Sequence, residues 1–190
     1  MTQSRLKIRG TTWFDLYGIH GGRGLVNDKF LLDPMVDPTG HKWYLNGKED
    51  VSQKYITRKT TPDERRKYGW GTTVRLQNVI ATIEGWKIPL GCTVDHINRN
   101  KCDNRLSNLR VATPEMQSMN QEKPISASGY RGVALRPGGK FQASINLDGV
   151  WTTLGTWDTA QKASAAYEAA RAQKWATAVA RCTALIQAMN

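Results

Sequence analysis

The stretch VDHINRNKCDNRLSNLRVAT, Val94 to Thr113, holds an Asp-His pair, four asparagines and three arginines, and closes on an apolar, strand-like run. Asparagine forms helix and strand poorly, so a cluster this dense marks either a decorated loop or a site. Its side chains are the parts needed to cut a phosphodiester: a base for water, a cation against the developing charge, and a fixed geometry. Neutral histidine is the one side chain whose unperturbed pKa lets it take a proton near pH 7. A hard cation takes oxygen ligands, which Asp, Asn and Gln supply. Asp95 stands beside His96, and Gln117 and Asn120 follow in PEMQSMNQ. Residues three apart on a helix share a face, so both amides can turn toward Asp95. One tension is visible: neighbouring strand residues point to opposite faces, so Asp95 and His96 serve one phosphate only if the strand breaks there.

The elements that must position these groups are short. IPLGCTVDHI reads as a turn at Pro89-Leu90-Gly91 and then a strand ending at the Asp-His pair, and LRVAT is a second strand. Thr113 and Pro114 open a helix by cap-then-proline logic, as do Thr61 and Pro62 in TPDERRKYGWG. Leu76, Val79, Ile80 and Ile83 keep a three-four rhythm that predicts a helix. Asn46-Gly47, between KWYL and KEDVSQKYITR, predicts a hairpin turn. Residues 1–25 read as an irregular or locally ordered arm, and GIHGGRG lacks the G-K-[ST] ending of a phosphate loop.

Composition changes after EKPISASG, which reads as a linker. Three strands follow, with turns at Pro137-Gly138-Gly139 and Asp148-Gly149. An Ala-rich helix comes next, with Asp158 as its expected cap and Gln161 three residues on. Ala163, Ala166, Tyr167 and Ala170 give it one small-residue face suited to lying against a sheet. The chain thus divides into an arm (1–25), a first domain (26–121), a linker (122–128), a second domain (129–175) and a helical tail (176–190).

At 190 residues the chain has room for two small units. Three cysteines, Cys92, Cys102 and Cys182, are an odd number without a C-x-x-C pair, which argues against a disulfide framework and a zinc knuckle. No apolar run approaches a membrane span, and MTQSRLKIRG lacks the apolar core of a signal peptide, so a cytoplasmic protein is expected. The net charge of +11 points to a polyanionic partner. Between Lys54 and Arg75 lie seven basic and two acidic residues, interleaved with Tyr55, Tyr68 and Trp70. A solvated basic face is the plain reading of that run.

VDHIN, followed by DNRLSNLRVAT and a helix ending MNQ, resembles the HNH endonucleases, in particular the phage and intron-encoded homing type. The resemblance implies a ββα-metal unit clasping one divalent cation, Mg²⁺ or Mn²⁺. It implies His96 as the general base, Asp95 as first metal ligand, and Asn108 as the asparagine whose amide ties the loop back near the histidine. Arg105 and Arg110 become candidates for phosphate contacts. The family's helical position is usually His or Asn; Gln117 stands there, with Asn120 as the alternative ligand.

The second module resembles the AP2 DNA-binding domain through Tyr130-Arg131-Gly132-Val133, Gly139-Lys140-Phe141, Leu154-Gly155-Thr156-Trp157-Asp158-Thr159 and AAYEAA. That resemblance implies a sheet entering the major groove with a helix behind it, and Arg131, Arg136, Lys140 and Trp151 as DNA contacts. Ala134, Gly138, Ser144 and Asn146 stand where the plant proteins carry Arg, Trp or Glu. Phosphate and shape recognition should therefore carry a larger share of binding. The overall expectation is an α+β chain: a ββα-metal nuclease unit followed by a three-stranded antiparallel sheet packed on one helix. Its expected function is that of a monomeric, metal-dependent homing endonuclease cutting double-stranded DNA in a phage-infected bacterial cytoplasm. It would nick first and leave 5′-phosphate and 3′-hydroxyl ends. The alternative is a DNA-binding regulator with a decayed nuclease unit.

Overall fold

A computed structural model describes residues 7–8, 11–15, 23–37, 40–46, 54–121 and 125–189. The chain separates into two compact units, Met1–Ala112 and Thr113–Asn190. Among the described residues, no helix is long and apolar enough to cross a membrane.

The first unit opens with an antiparallel sheet, β1 (Lys7–Ile8), β2 (Thr11–Asp15) and β3 (Arg23–Asn27), in that order. Of the irregular or locally ordered arm expected from the sequence, the described residues show local order, in the form of paired strands. The Trp-Phe pair and the glycines obscured the period-two pattern that marks a strand. A short helix α1 (Asp28–Leu31) follows. The second sheet orders β4 (Tyr44–Asn46), β5 (Tyr55–Lys59) and β6 (Thr73–Arg75) as β4-β5-β6. Asn46 pairs with Tyr55, so the connection is longer than the two-residue turn expected at Asn46-Gly47; residues 47–53 lie outside the described ones.

Helix α2 (Pro62–Tyr68) forms as its sequence requires. Thr61 accepts from the Glu64 backbone amide, and the Glu64 carboxylate accepts from the Thr61 amide at 2.8 Å, a reciprocal cap. The same carboxylate meets Arg58 of β5, which is buried at 2 % exposure. Arg58 donates to both Glu64 oxygens and to the backbone oxygens of Met35 and Lys59, and lies over the Trp43 ring. It is therefore a core residue, not part of the solvated basic face.

Helix α3 (Leu76–Ile83) turns Leu76, Val79 and Ile80 fully inward against Phe30, Trp43 and Ile56. This is the three-four rhythm at work. A two-stranded antiparallel sheet, β7 (Thr93–His96) and β8 (Leu109–Ala112), completes the unit. Its buried Val94 and Leu109 join the same core.

The second unit begins with α4 (Pro114–Asn120), capped by Thr113, whose hydroxyl accepts from Met116. Strands β9 (Val133–Leu135), β10 (Phe141–Leu147) and β11 (Val150–Trp157) form an antiparallel sheet in the order β11-β10-β9. Asp148 and Gly149 both take positive φ in the β10–β11 turn, the geometry a tight hairpin needs. Helix α5 (Ala160–Gln187) runs 28 residues without a break, so the expected separate tail from residue 176 belongs to it. Its cap is Thr159, not Asp158; Asp158 instead pairs with Lys140. Val133, Ala143 and Ala163 form a small core ringed by Phe141, Leu154, Trp157 and Tyr167. Gly132, at φ 69°, lies so close to the Tyr167 ring that a Cβ there would sit 2.2 Å from it.

Candidate active site

Strand β7 ends at His96, where Leu109 is its cross-strand neighbour, and Asp95 lies opposite Arg110. The burial pattern along β7 puts Val94 and His96 on the inner face and Asp95 on the other. The tension between adjacent residues is thus real in the folded chain. The backbone turns at once after His96: Ile97 donates to Asn108 O, and Arg99 donates to His96 O while adopting φ 68°.

Each of the four asparagines in the loop has a structural task. Asn98 Oδ1 accepts from the Asn100 amide, and Asn100 Oδ1 accepts from the Cys102 amide, two successive side-chain turns. Asn108, buried, spans the loop: its Oδ1 accepts from the Asn98 amide at 2.8 Å and its Nδ2 donates to Asp103 O at 2.7 Å. Asn104, fully buried, meets the imidazole: its Oδ1 stands 3.1 Å from His96 Nε2. Because Asn104 Nδ2 donates to Lys101 O, the amide oxygen is the atom facing the ring. An amide oxygen only accepts, so Nε2 carries the hydrogen and Nδ1 is the basic nitrogen.

Strand β3 pins this loop from outside the motif. Leu25 donates to Cys102 O, Asn104 donates to Leu25 O, and Leu106 donates to Asn27 Oδ1. Loop geometry, and with it the Asn104–His96 contact, depends on Leu25, at the end of the expected arm, and on Asn27, at the start of the expected first domain.

The ring of His96 is 3 % exposed. Its surroundings are polar as well as close, with Asn104 on one side and the Tyr55 ring centroid 6.3 Å away. Burial pushes its pKa below the usual value of 6.5. The Asn104 contact and the charges of Asp95 and Asp103 oppose that, and the Lys101 charge adds to it. The result is an imidazole that is neutral at pH 7, the form a base must have.

The arginines expected at phosphates are closed onto carboxylates. Arg105 forks onto Asp103 at 2.7 and 2.5 Å, and Arg110 reaches Asp95 Oδ2 at 2.8 Å. Burial raises the Asp103 pKa, yet the Arg105 contacts outweigh it and the carboxyl stays below its ordinary range. Among the described residues no group of three or more His, Cys, Asp or Glu gathers in a way that could hold a metal ion. The donors that sequence reasoning proposed are the Asp95 carboxylate and the amides of Gln117 and Asn120, an all-oxygen set that suits Mg²⁺ or Mn²⁺ by its chemistry. Gln117 and Asn120 both lie on α4, half-buried, in the second unit, whereas Asp95 belongs to the first.

Two further cations stand nearby that were not among the expected site residues. Arg75 lies over the Tyr55 ring with 4.2 Å to its centroid, and Lys101 lies over the same ring at 4.4 Å. Burial, then the Arg75 charge, lowers the Lys101 pKa from its usual value. The signal for Tyr55 and Arg75 was in the sequence, as one of the aromatics interleaved in the basic run from Lys54 and as its last cation.

In the second unit, β10 turns Ala143 and Ile145 inward, so Gln142, Ser144 and Asn146 face away from the helix. Trp151 pairs with Asn146 and is 73 % exposed. Arg136, exposed, donates to Gln142 Oε1, and Lys140 pairs with Asp158. Arg131 is half-buried just before β9. Phe141, Trp157 and Tyr167 pack around the core.

A family model for HNH endonucleases matches residues 74–119, which span α3, the β7–β8 pair and all but the last residue of α4. Among curated proteins, the chain is 32 % identical over 149 residues to an uncharacterized HNH endonuclease, L560, of Acanthamoeba polyphaga mimivirus. That alignment covers 77 % of this chain and 70 % of the relative. No solved structure matches. The chain belongs to the HNH endonuclease family and is a hydrolase that cleaves DNA.

Proposed function

We propose that this protein is a metal-dependent HNH endonuclease in which His96 is the general base. The observation that carries the reading is the Asn104 contact, which gives the ring one protonated and one basic nitrogen while burial keeps it neutral. Nδ1 of His96 takes the proton of the attacking water as its oxygen bonds to phosphorus, while the bond from phosphorus to the 3′-oxygen breaks and that oxygen leaves as a 3′-hydroxyl, taking a proton from solvent. Asn108 holds the two sides of the loop together and so fixes the ring against the strand end. A bound divalent cation would supply Lewis-acid stabilisation of the charge that develops on the phosphate. Asp95 is the carboxylate of the first unit that would hold it. Arg110 must let go of Asp95 for that to happen, and once released it becomes a cation for the DNA backbone. Because His96 is nearly inaccessible, side chains around it must also shift before a phosphate reaches the ring.

The second unit is proposed as an AP2-like reader. Trp151 offers an exposed ring, and Arg131, Arg136 and Lys140 offer charge, from a sheet face otherwise small and polar. A cutting unit joined to a reading unit supports a homing-type role.

The test is nicking of supercoiled plasmid by the full chain with Mg²⁺ or Mn²⁺. Cleavage should vanish with EDTA, and His96→Ala should lower it by roughly 10²–10⁴-fold while leaving duplex binding intact. Cation-independent cleavage, or cleavage at the parent rate in His96→Ala, contradicts the reading.

A further inference from the structure

We propose that Arg75 and Lys101, gathered on the ring of Tyr55 beside His96, form a clamp for a backbone phosphate of the DNA. The inference rests on the nuclease reading for its ligand but uses residues that reading leaves idle.

Three elements converge here. Arg75 ends β6 and pairs with Thr57 of β5. Tyr55 lies two residues before Thr57 on the same strand, so its ring shares a sheet face with Arg75 as a diagonal neighbour. Lys101 comes from the loop between β7 and β8. Tyr55 is also the ring beside His96. The cluster therefore links the outer sheet of the unit to the base.

Electrostatics decides what it binds. An aromatic face attracts a cation through its quadrupole, and it holds the two side chains close without neutralising either. Arg75 and Lys101 each stand within 4.4 Å of the centroid of one ring, so the two cations belong to one small patch. Two positive charges so placed repel each other, and the partly buried ammonium of Lys101 has lost water that would screen it. One diester phosphate, with a single charge and two non-bridging oxygens, relieves both costs. A guanidinium fork and an ammonium are also the two donors that bind phosphate best.

The test is the salt dependence of duplex binding by the full chain carrying His96→Ala in EDTA, where nothing is cut. Lys101→Met and Arg75→Gln should each reduce the slope of log K against log salt by about 1, because each removes one phosphate contact. Lys101→Arg and Arg75→Lys should keep the parent slope, since charge is retained. Neutral variants that melt like the parent and keep its slope overturn the clamp. Plasmid nicking by the chain with His96 in place is scored separately. Nicking with an unchanged slope rejects the clamp alone, and a reduced slope without nicking rejects the nuclease reading while the clamp stands.

Discussion

In the proposed mechanism His96 works through the inequality of its two ring nitrogens, and the Asn104 contact sets that inequality. Since burial depresses the imidazole pKa, the basic form persists below the ordinary value of 6.5. The acid limb of the pH profile for single-turnover cleavage should therefore fall below pH 6.5; a limb above it would count against a buried neutral base. Asn104→Asp places a negative charge against the ring and favours imidazolium. Its acid limb should move up by about one pH unit, read from the same profile. Asp95 and His96 were legible as candidates from residue type and spacing, and Asn108 was legible as one only through the HNH resemblance. Asn104 was not. Four amides crowd the same loop, and which one faces the ring is decided by backbone bonds to β3, far away in sequence. Lys101 was illegible for the same reason, since its ring partner sits in another sheet.

At the scale of elements, local chemistry predicted best where caps and periodicity act alone. Helices α2, α3 and α4 begin at Pro62, Leu76 and Pro114, in line with their sequence signals. The cap of α5 shifted to Thr159 because Asp158 finds Lys140 across the module, a tertiary partner no local rule contains. The Arg58–Glu64 pair shows how one contact can couple an element to its sheet. Arg58, the Thr61 amide and the Thr61 hydroxyl hold the Glu64 carboxyl at about 2 against an ordinary 4.5. A depressed carboxyl stabilises the fold above its unfolded pKa and loses that contribution as protons bind. The effect, on the order of 3 kcal/mol, should be complete above pH 4.5 and fade as pH falls toward 2, while Glu64→Gln should flatten that dependence in chemical denaturation. Gly132 tests the second unit. Gly132→Ala forces a methyl into the Tyr167 ring at a left-handed φ and should lower that unit's stability by more than about 1 kcal/mol. Thermal unfolding followed by Trp fluorescence would show the drop, and an unchanged midpoint would mean that the ring yields freely.

Across the whole molecule, two units and a charge of +11 accompany the proposal that the chain meets DNA at more than one place. Trp151→Ala should weaken duplex binding while leaving the rate of cleavage at saturating protein unchanged, as the proposed reading role of the second unit requires. Equal loss in binding and in saturated rate would assign Trp151 to the chemistry instead. The division into two units was visible in the sequence as a change of composition, but its position was not. Helix α4, read as the last piece of the nuclease motif, falls with α5, to which Arg171 and Lys174 tie it through Met119 O and Glu115. Pattern reading assigns a helix to its motif; packing assigns it to its neighbours. The most direct trial of His96 as the base is chemical rescue. In single-turnover cleavage, His96→Ala should fall roughly 10²–10⁴-fold, and added imidazole should restore part of the rate with a pH dependence that follows imidazole's own ionisation. Cleavage by His96→Ala at the parent rate, with imidazole making no difference, would show that the proton goes elsewhere.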